Sequence, residues 1–125
     1  MTARIAQWTL DVHDVEVMEQ FWSRAVGYRV ERGHDGNATL YPPDDAAPDV
    51  ATVWLQSGAH PRRDKNRNHP DLVPSGGDVE AEVERLIGPG ARRIDVGQTA
   101  DDPFVVLADP EGNEFCVLRR LPRQV

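Results

Sequence analysis

The tripeptide Asp14-Val15-Glu16 heads a stretch that ends at Gly27-Tyr28, and it returns 64 residues later as Asp78-Val79-Glu80, ahead of Gly88-Pro89-Gly90. Each copy follows a strand-like run and opens a helix-like one. A short carboxylate at Asp14 or Asp78 accepts from the orphan N–H groups of a helix's first turn, so both are N-cap residues. In the first stretch Val15, Met18, Trp22 and Ala25 recur at helical spacing; in the second, Val79, Val83, Leu86 and Ile87 do so. Each set forms a one-sided apolar stripe. Gly27 is expected to close the first helix and Gly88-Pro89-Gly90 the second.

Working outward, the later parts also correspond. Tyr28 to Glu31 and Arg92 to Val96 read as strands after the two helices. Ala51 to Gln56 and Glu114 to Leu118 read as final strands at an offset of about 62 residues. Phe104 to Ala108 precedes Asp109-Pro110-Glu111-Gly112, whose proline at i+1 and glycine at i+3 predict a type I turn and a hairpin. Thr39 to Tyr41 is its counterpart in the first half. Each half therefore reads β-α-β-β-β, and the fold class is α+β. The expected organisation is one domain over residues 1–125, with module one about 1–57, a connector at 58–68 and module two about 69–125. The tract Arg62-Arg63-Asp64-Lys65-Asn66-Arg67 in the connector is the one basic cluster. It reads as a solvated loop or as an arginine clamp for an anion.

Length and charge narrow the function classes. A chain of 125 residues carries one core of ordinary size. Twenty-one acids against 14 bases give a net charge of −7, which argues against nucleic acid as a partner. No apolar run approaches the ~20 residues of a membrane span, and the N-terminal residues show no signal pattern. The lone cysteine, Cys116, excludes an internal disulfide and fits a reducing, cytoplasmic compartment. No Gly-rich phosphate loop, Ser-His-Asp set or Cys-pair motif is present.

Several texts carry a family resemblance: Trp8-Thr9-Leu10-Asp11-Val12, Phe21-Trp22 followed by Val26-Gly27-Tyr28, and Lys65-Asn66-Arg67-Asn68-His69. The most specific runs from Leu107 through Asp109-Pro110-Glu111-Gly112-Asn113-Glu114-Phe115-Cys116 to Leu118. Over almost its whole length the chain is similar to the vicinal oxygen chelate superfamily, the glyoxalase/bleomycin-resistance/extradiol-dioxygenase group, in its glyoxalase-like branch. The resemblance implies two tandem βαβββ modules whose sheets form a cupped half-barrel, and a homodimer. It also implies a divalent metal held at four positions, on the first and last strands of each module. These fall here at Gln7, Trp54, His69 and Cys116, and the 62-residue offset relates Gln7 to His69 and Trp54 to Cys116.

Tryptophan cannot ligate, because its indole N–H only donates. A lone thiolate suits soft ions and does not replace a carboxylate base. Both family glutamates are missing, so no cofactor is predicted and a divalent metal is disfavoured. A register shift of two would bring in Gln56 or Glu114, giving a metal set of Gln7, His69 and Glu114; Glu114, just after the turn, is expected at the sheet edge. His69 and Cys116 are weak catalytic candidates, the thiol as a nucleophile activated by the imidazole. Cys116 as a small apolar core residue is the stronger alternative. Asp71 shares the face of His69, and Pro70 between them demands an edge or irregular strand. His13, His34 and His60 are expected at the surface, Trp22 in the core, and Trp8 beneath the first helix.

The expected ligand-binding set is Gln7, Trp54, His69, Asp71 and Cys116. The function expected is binding of a small hydrophobic or cationic molecule in a cupped cavity without the family's metal, Trp54 supplying apolar contact. The alternative is a metal-dependent glyoxalase- or dioxygenase-type lyase or isomerase using Gln7 and His69. Whether the chain is an enzyme stays open at this point.

Overall fold

A computed structural model describes residues 2–60, 64 and 66–121, so Arg62, Arg63 and Lys65 of the basic tract lie outside the described residues. The chain falls into two compact units, Met1–Pro61 and Arg62–Val125, a division inside the expected connector. Among the described residues each unit carries one helix and one four-stranded sheet.

In the first unit, β1 (Gln7–Val12) leads into α1 (Val15–Val26), followed by β2 (Arg29–Arg32), β3 (Ala38–Tyr41) and β4 (Thr52–Ser57). The sheet order is β1-β4-β3-β2, with β1 parallel to β4 and the other pairs antiparallel. In the second unit the sequence is β5 (Asp71–Leu72), α2 (Val79–Ile87), β6 (Arg92–Arg93), β7 (Phe104–Ala108) and β8 (Glu114–Leu118). Its sheet order, β5-β8-β7-β6, repeats the first, again with the first and last strands parallel. The fold is α+β with the expected βαβββ order twice over.

The helix boundaries follow from local chemistry. Asp14 has extended backbone and its carboxylate accepts from the Val17 N–H at 3.1 Å; Asp78 accepts likewise from Ala81 at 3.2 Å. These bonds satisfy one orphan donor in each first turn. Gly27 ends α1 in the left-handed region at φ 72°, and the Tyr28 N–H returns to the Ser23 carbonyl at 3.1 Å. The second helix ends differently. Gly88 stays right-handed at φ −51°, and the reversal falls on Gly90 at φ 131°. Met18, Phe21, Trp22 and Ala25 of α1 are buried in the first unit. The Phe21 and Trp22 rings meet edge-on at 5.1 Å, an attractive geometry beyond plain burial. Val79, Val83 and Leu86 of α2 are buried in the second unit, with Phe115 and Val117 among its other core residues.

Two expectations need correction. Trp8 lies on the core face of β1 by alternation, two and four residues from Leu10 and Val12, yet it is 54 % exposed. The cause is position: β1 is an edge strand and Trp8 lies near its start, and burial on this face falls from Val12 through Leu10 to Trp8. The strand expected over Arg92 to Val96 pairs only at Arg92 and Arg93, with one further bond from the Ile94 N–H to the Val106 carbonyl at 3.2 Å. Beyond it the backbone turns, the Gly97 N–H donating to Asp95 at 2.8 Å.

The Asp109 to Asn113 text proves to be a self-contained turn. The Gly112 N–H donates to the Asp109 carbonyl at 2.9 Å, closing the predicted turn, and the Asp109 N–H donates to the Asn113 carbonyl at 2.9 Å. The Asp109 carboxylate is fully buried and accepts from the Glu111 and Asn113 backbone N–H groups and from the Asn113 amide. Asn66 donates to the Asn113 side-chain oxygen at 2.8 Å, tying the end of the connector to the hairpin.

Candidate functional site

Strand alternation builds a site within the second unit. Glu114, Cys116 and Leu118 of β8 point to one face, and the register sets Val106 opposite Cys116 and Phe104 opposite Leu118. On the other side of β8, Asp71 of β5 pairs with Cys116. Asp71, Cys116 and Val106 thus form one row across three strands. His69, two residues before Asp71, falls on the same face. With Val96 from the segment after β6, these residues line a recess of about 370 Å³, within the size range of small-molecule pockets.

The recess has an apolar wall and an acidic floor. Phe104, Val106, Val96 and Leu118 supply the wall; Asp71 and Glu114 supply two carboxylates. His69 Nε2 stands 3.3 Å from Asp71 Oδ1. The Cys116 thiol is pushed up to about 11, first by burial, then by the negative charge and hydrogen-bond acceptance of Asp71 and the charge of Glu114. At neutral pH it is a thiol, the reverse of the activated thiolate a nucleophile needs. Glu114 is half-buried and lines the recess rather than marking a bare edge, because β8 lies between β5 and β7. Both Glu114 and Cys116 face the recess in one register, so the two-residue shift needed to bring Glu114 in does not arise.

The first unit carries the same row with different chemistry. The parallel register sets Thr9 opposite Trp54, and β3 sets Thr39 on its other side. Adding 62 to Thr9 and Trp54 gives Asp71 and Cys116, so the duplication is preserved in strand register. Gln7 is exposed on β1, its amide oxygen accepting from the Thr52 hydroxyl at 3.1 Å. Trp54 is half-buried in β4. Gln7 and Trp54 therefore belong to one unit, and His69, Asp71, Glu114 and Cys116 to the other. His13, His34 and His60 are exposed. The wall residues Val96, Phe104, Val106 and Leu118 were not foreseen. Alternation along the hairpin was the signal for three of them, while Val96 arrives through a loop that no periodicity marks.

The duplicated βαβββ topology defines a class: the fold is that of the vicinal oxygen chelate superfamily. More narrowly, residues 7–118 match the glyoxalase-like domain family, and the chain belongs to it. No curated protein matches the chain significantly in sequence. Among solved structures, the fosfomycin resistance protein FosX from Mesorhizobium loti superposes with a TM-score of 0.73 at 15% identity, covering 98% of this chain and 95% of that one. A glyoxalase/bleomycin resistance protein/dioxygenase family enzyme from Burkholderia phytofirmans PsJN gives 0.68 at 16% identity, covering 92% and 97%. The E126Q mutant of FosX from Listeria monocytogenes, complexed with Mn(II) and 1S,2S-dihydroxypropylphosphonic acid, gives 0.73 at 12% identity, covering 98% and 94%. At such identities the likeness is one of fold.

Proposed function

We propose that this chain is a small-molecule-binding member of the glyoxalase-like family and that the ligand occupies the recess of the second unit. Its ligand is an organic cation with an apolar body. The observation that carries this reading is the pairing of two carboxylates, Asp71 and Glu114, with an apolar wall of Val96, Phe104, Val106 and Leu118. An ammonium group placed over the floor gains charge-assisted hydrogen bonds, while the wall removes apolar surface from water. The overall charge of −7 adds long-range attraction for cations.

The oxygen-ligated metal of the superfamily has no part in this reading. Of the four positions the resemblance assigns, Trp54 carries no acceptor and Cys116 no carboxylate, which leaves the amide of Gln7 and the imidazole of His69. Two family positions are too few protein ligands for a stable catalytic ion, so a lyase, isomerase or dioxygenase built on Gln7 and His69 is the weaker alternative. A homodimer and a cytoplasmic location belong to the same proposal. Among the described residues no helix is long and apolar enough to cross a membrane.

Thermal-shift titration in the presence of a chelator tests the proposal, because a ligand that binds only the folded state raises its melting temperature. Apolar amines should stabilise the chain, matched carboxylates should not, and Asp71→Asn should weaken the response. Val106→Trp, which fills the recess, should abolish it. If no amine shifts the wild-type protein, the reading fails.

A further inference from the structure

We infer that His69 and Cys116 are positioning residues that together orient the Asp71 carboxylate toward a ligand cation that itself donates hydrogen bonds. The recess thus selects a primary or secondary ammonium, an amidinium or a guanidinium, and rejects a quaternary ammonium. This inference rests on the small-molecule reading and narrows its ligand class.

The geometry sets one acceptor between two donors. His69 Nε2 stands 3.3 Å from Asp71 Oδ1. An ionised carboxylate only accepts, so the proton of that contact sits on the imidazole nitrogen. Asp71 and Cys116 are register partners on adjacent parallel strands. The imidazole nitrogen, a carboxylate oxygen and the sulfur all lie within 4.8 Å of one another, and the thiol donates to the carboxylate. The Asp71 side chain is 47 % exposed, and a half-exposed carboxylate samples several rotamers unless donors hold it. Here one donor comes from the same strand segment and the other from the neighbouring strand.

The remaining acceptor sites set the ligand chemistry. A carboxylate offers about four lone-pair sites, and the imidazole and the thiol occupy two of them. About two are left for the ligand, and a cation bearing N–H groups fills them with charge-assisted bonds, in parallel for a guanidinium. A quaternary ammonium keeps the charge attraction but presents methyl groups, so it displaces water from those sites without replacing its bonds. Solvent still reaches the half-exposed carboxylate, which holds the discrimination to about 10-fold rather than the far larger factors of closed sites. The first unit has no counterpart: its matching residues, Gln7, Thr9 and Trp54, include no carboxylate.

The test is calorimetric titration of the full-length chain, with chelator present, using phenylalkylamines of graded chain length and the N-trimethyl derivative of each. Wild type should bind the best primary amine at least about 10-fold more tightly than its trimethyl partner, the loss expected for missing charge-assisted bonds. Cys116→Ala and His69→Leu should each cut that ratio at least about threefold by weakening the primary amine alone. Cys116→Ser restores a donor and should hold the ratio within about twofold of wild type. A merely structural role would weaken both ligands together and leave the ratio unchanged. Circular dichroism confirms that each variant is folded, and the His69→Leu arm decides if Cys116→Ala does not fold. A wild-type ratio below about 10-fold overturns the inference and leaves the small-molecule reading standing, as does an unchanged ratio in either folded variant. Absence of binding by every compound removes both.

Discussion

Asp71 and Cys116 face each other across the parallel β5–β8 pair just as Thr9 and Trp54 do across β1–β4. The duplication therefore extends to the individual register partner. At this row the two copies differ in chemistry: a carboxylate and a thiol in the second unit, a hydroxyl and an indole in the first. The same scaffold position thus carries ionisable groups in one module and none in the other, and the second unit becomes the place to look for chemistry.

The thiol of Cys116 should be slow to alkylate at neutral pH and should react faster as pH rises toward about 11. Asp71→Asn removes a negative charge that favours the protonated form and leaves only a weaker amide acceptor, so it should raise the alkylation rate at a given pH. The linked stability effect has a definite sign. The folded value lies above the ordinary 9.0, so below 9 both states hold the proton and the contribution is complete. As pH rises from 9 to about 11 the unfolded chain loses its proton first, and stability falls. Denaturant melts of wild type and Cys116→Ala across that range measure the difference; a parallel pH dependence in both would contradict the assignment.

Asp14→Ala and Asp78→Ala should each lower stability by about 1 kcal/mol, because each removes one side-chain bond to a first-turn N–H. Near-equal losses are expected from the matched geometry. Urea denaturation of the two variants compares them directly, and a negligible loss in either would deny its cap a stabilising role.

Gly27→Ala should cost roughly 1–2 kcal/mol from backbone conformation alone. The backbone sits at φ 72°, and a Cβ built there meets nothing within 4 Å. Gly27→Asn should lose less, since asparagine tolerates the left-handed region. A Gly27→Ala midpoint equal to wild type would refute the assignment of a left-handed cap.

Asp109→Ala should be among the most damaging single changes outside the apolar core. It strands two backbone N–H groups and the Asn113 amide inside the turn, and each unsatisfied buried donor costs about 1–3 kcal/mol. Asp109→Asn keeps an acceptor and should recover part of the loss. Melting temperatures of the two variants give the answer, and Asp109→Ala matching wild type would sink it.

Much of the fold was legible because its signals are local. An N-cap carboxylate, a stop glycine, a helical stripe and a proline–glycine turn each act on neighbours a few residues away. The sequence by itself determined both helix starts, strands β7 and β8 to the residue, the βαβββ repeat and the α+β class. Its misses have physical causes. Trp8 has the right alternation, but whether a face is covered depends on where the helix lies along an edge strand. The strand after α2 is shorter than its composition predicts: Arg92 to Val96 has a strand's composition, whereas the length is set by pairing with β7 at Arg92 and Arg93.

The site was half legible. His69 and Asp71 are two residues apart, so alternation alone set them on one face. Cys116 lies 45 residues after Asp71 in the chain, and only the pairing of β5 with β8 makes them partners. That pairing also decided the character of Cys116. As a residue type it reads first as core and second as a nucleophile; buried beside two carboxylates, it is a protonated thiol. Such a property depends on the field of groups distant in sequence, which no single-residue signal encodes.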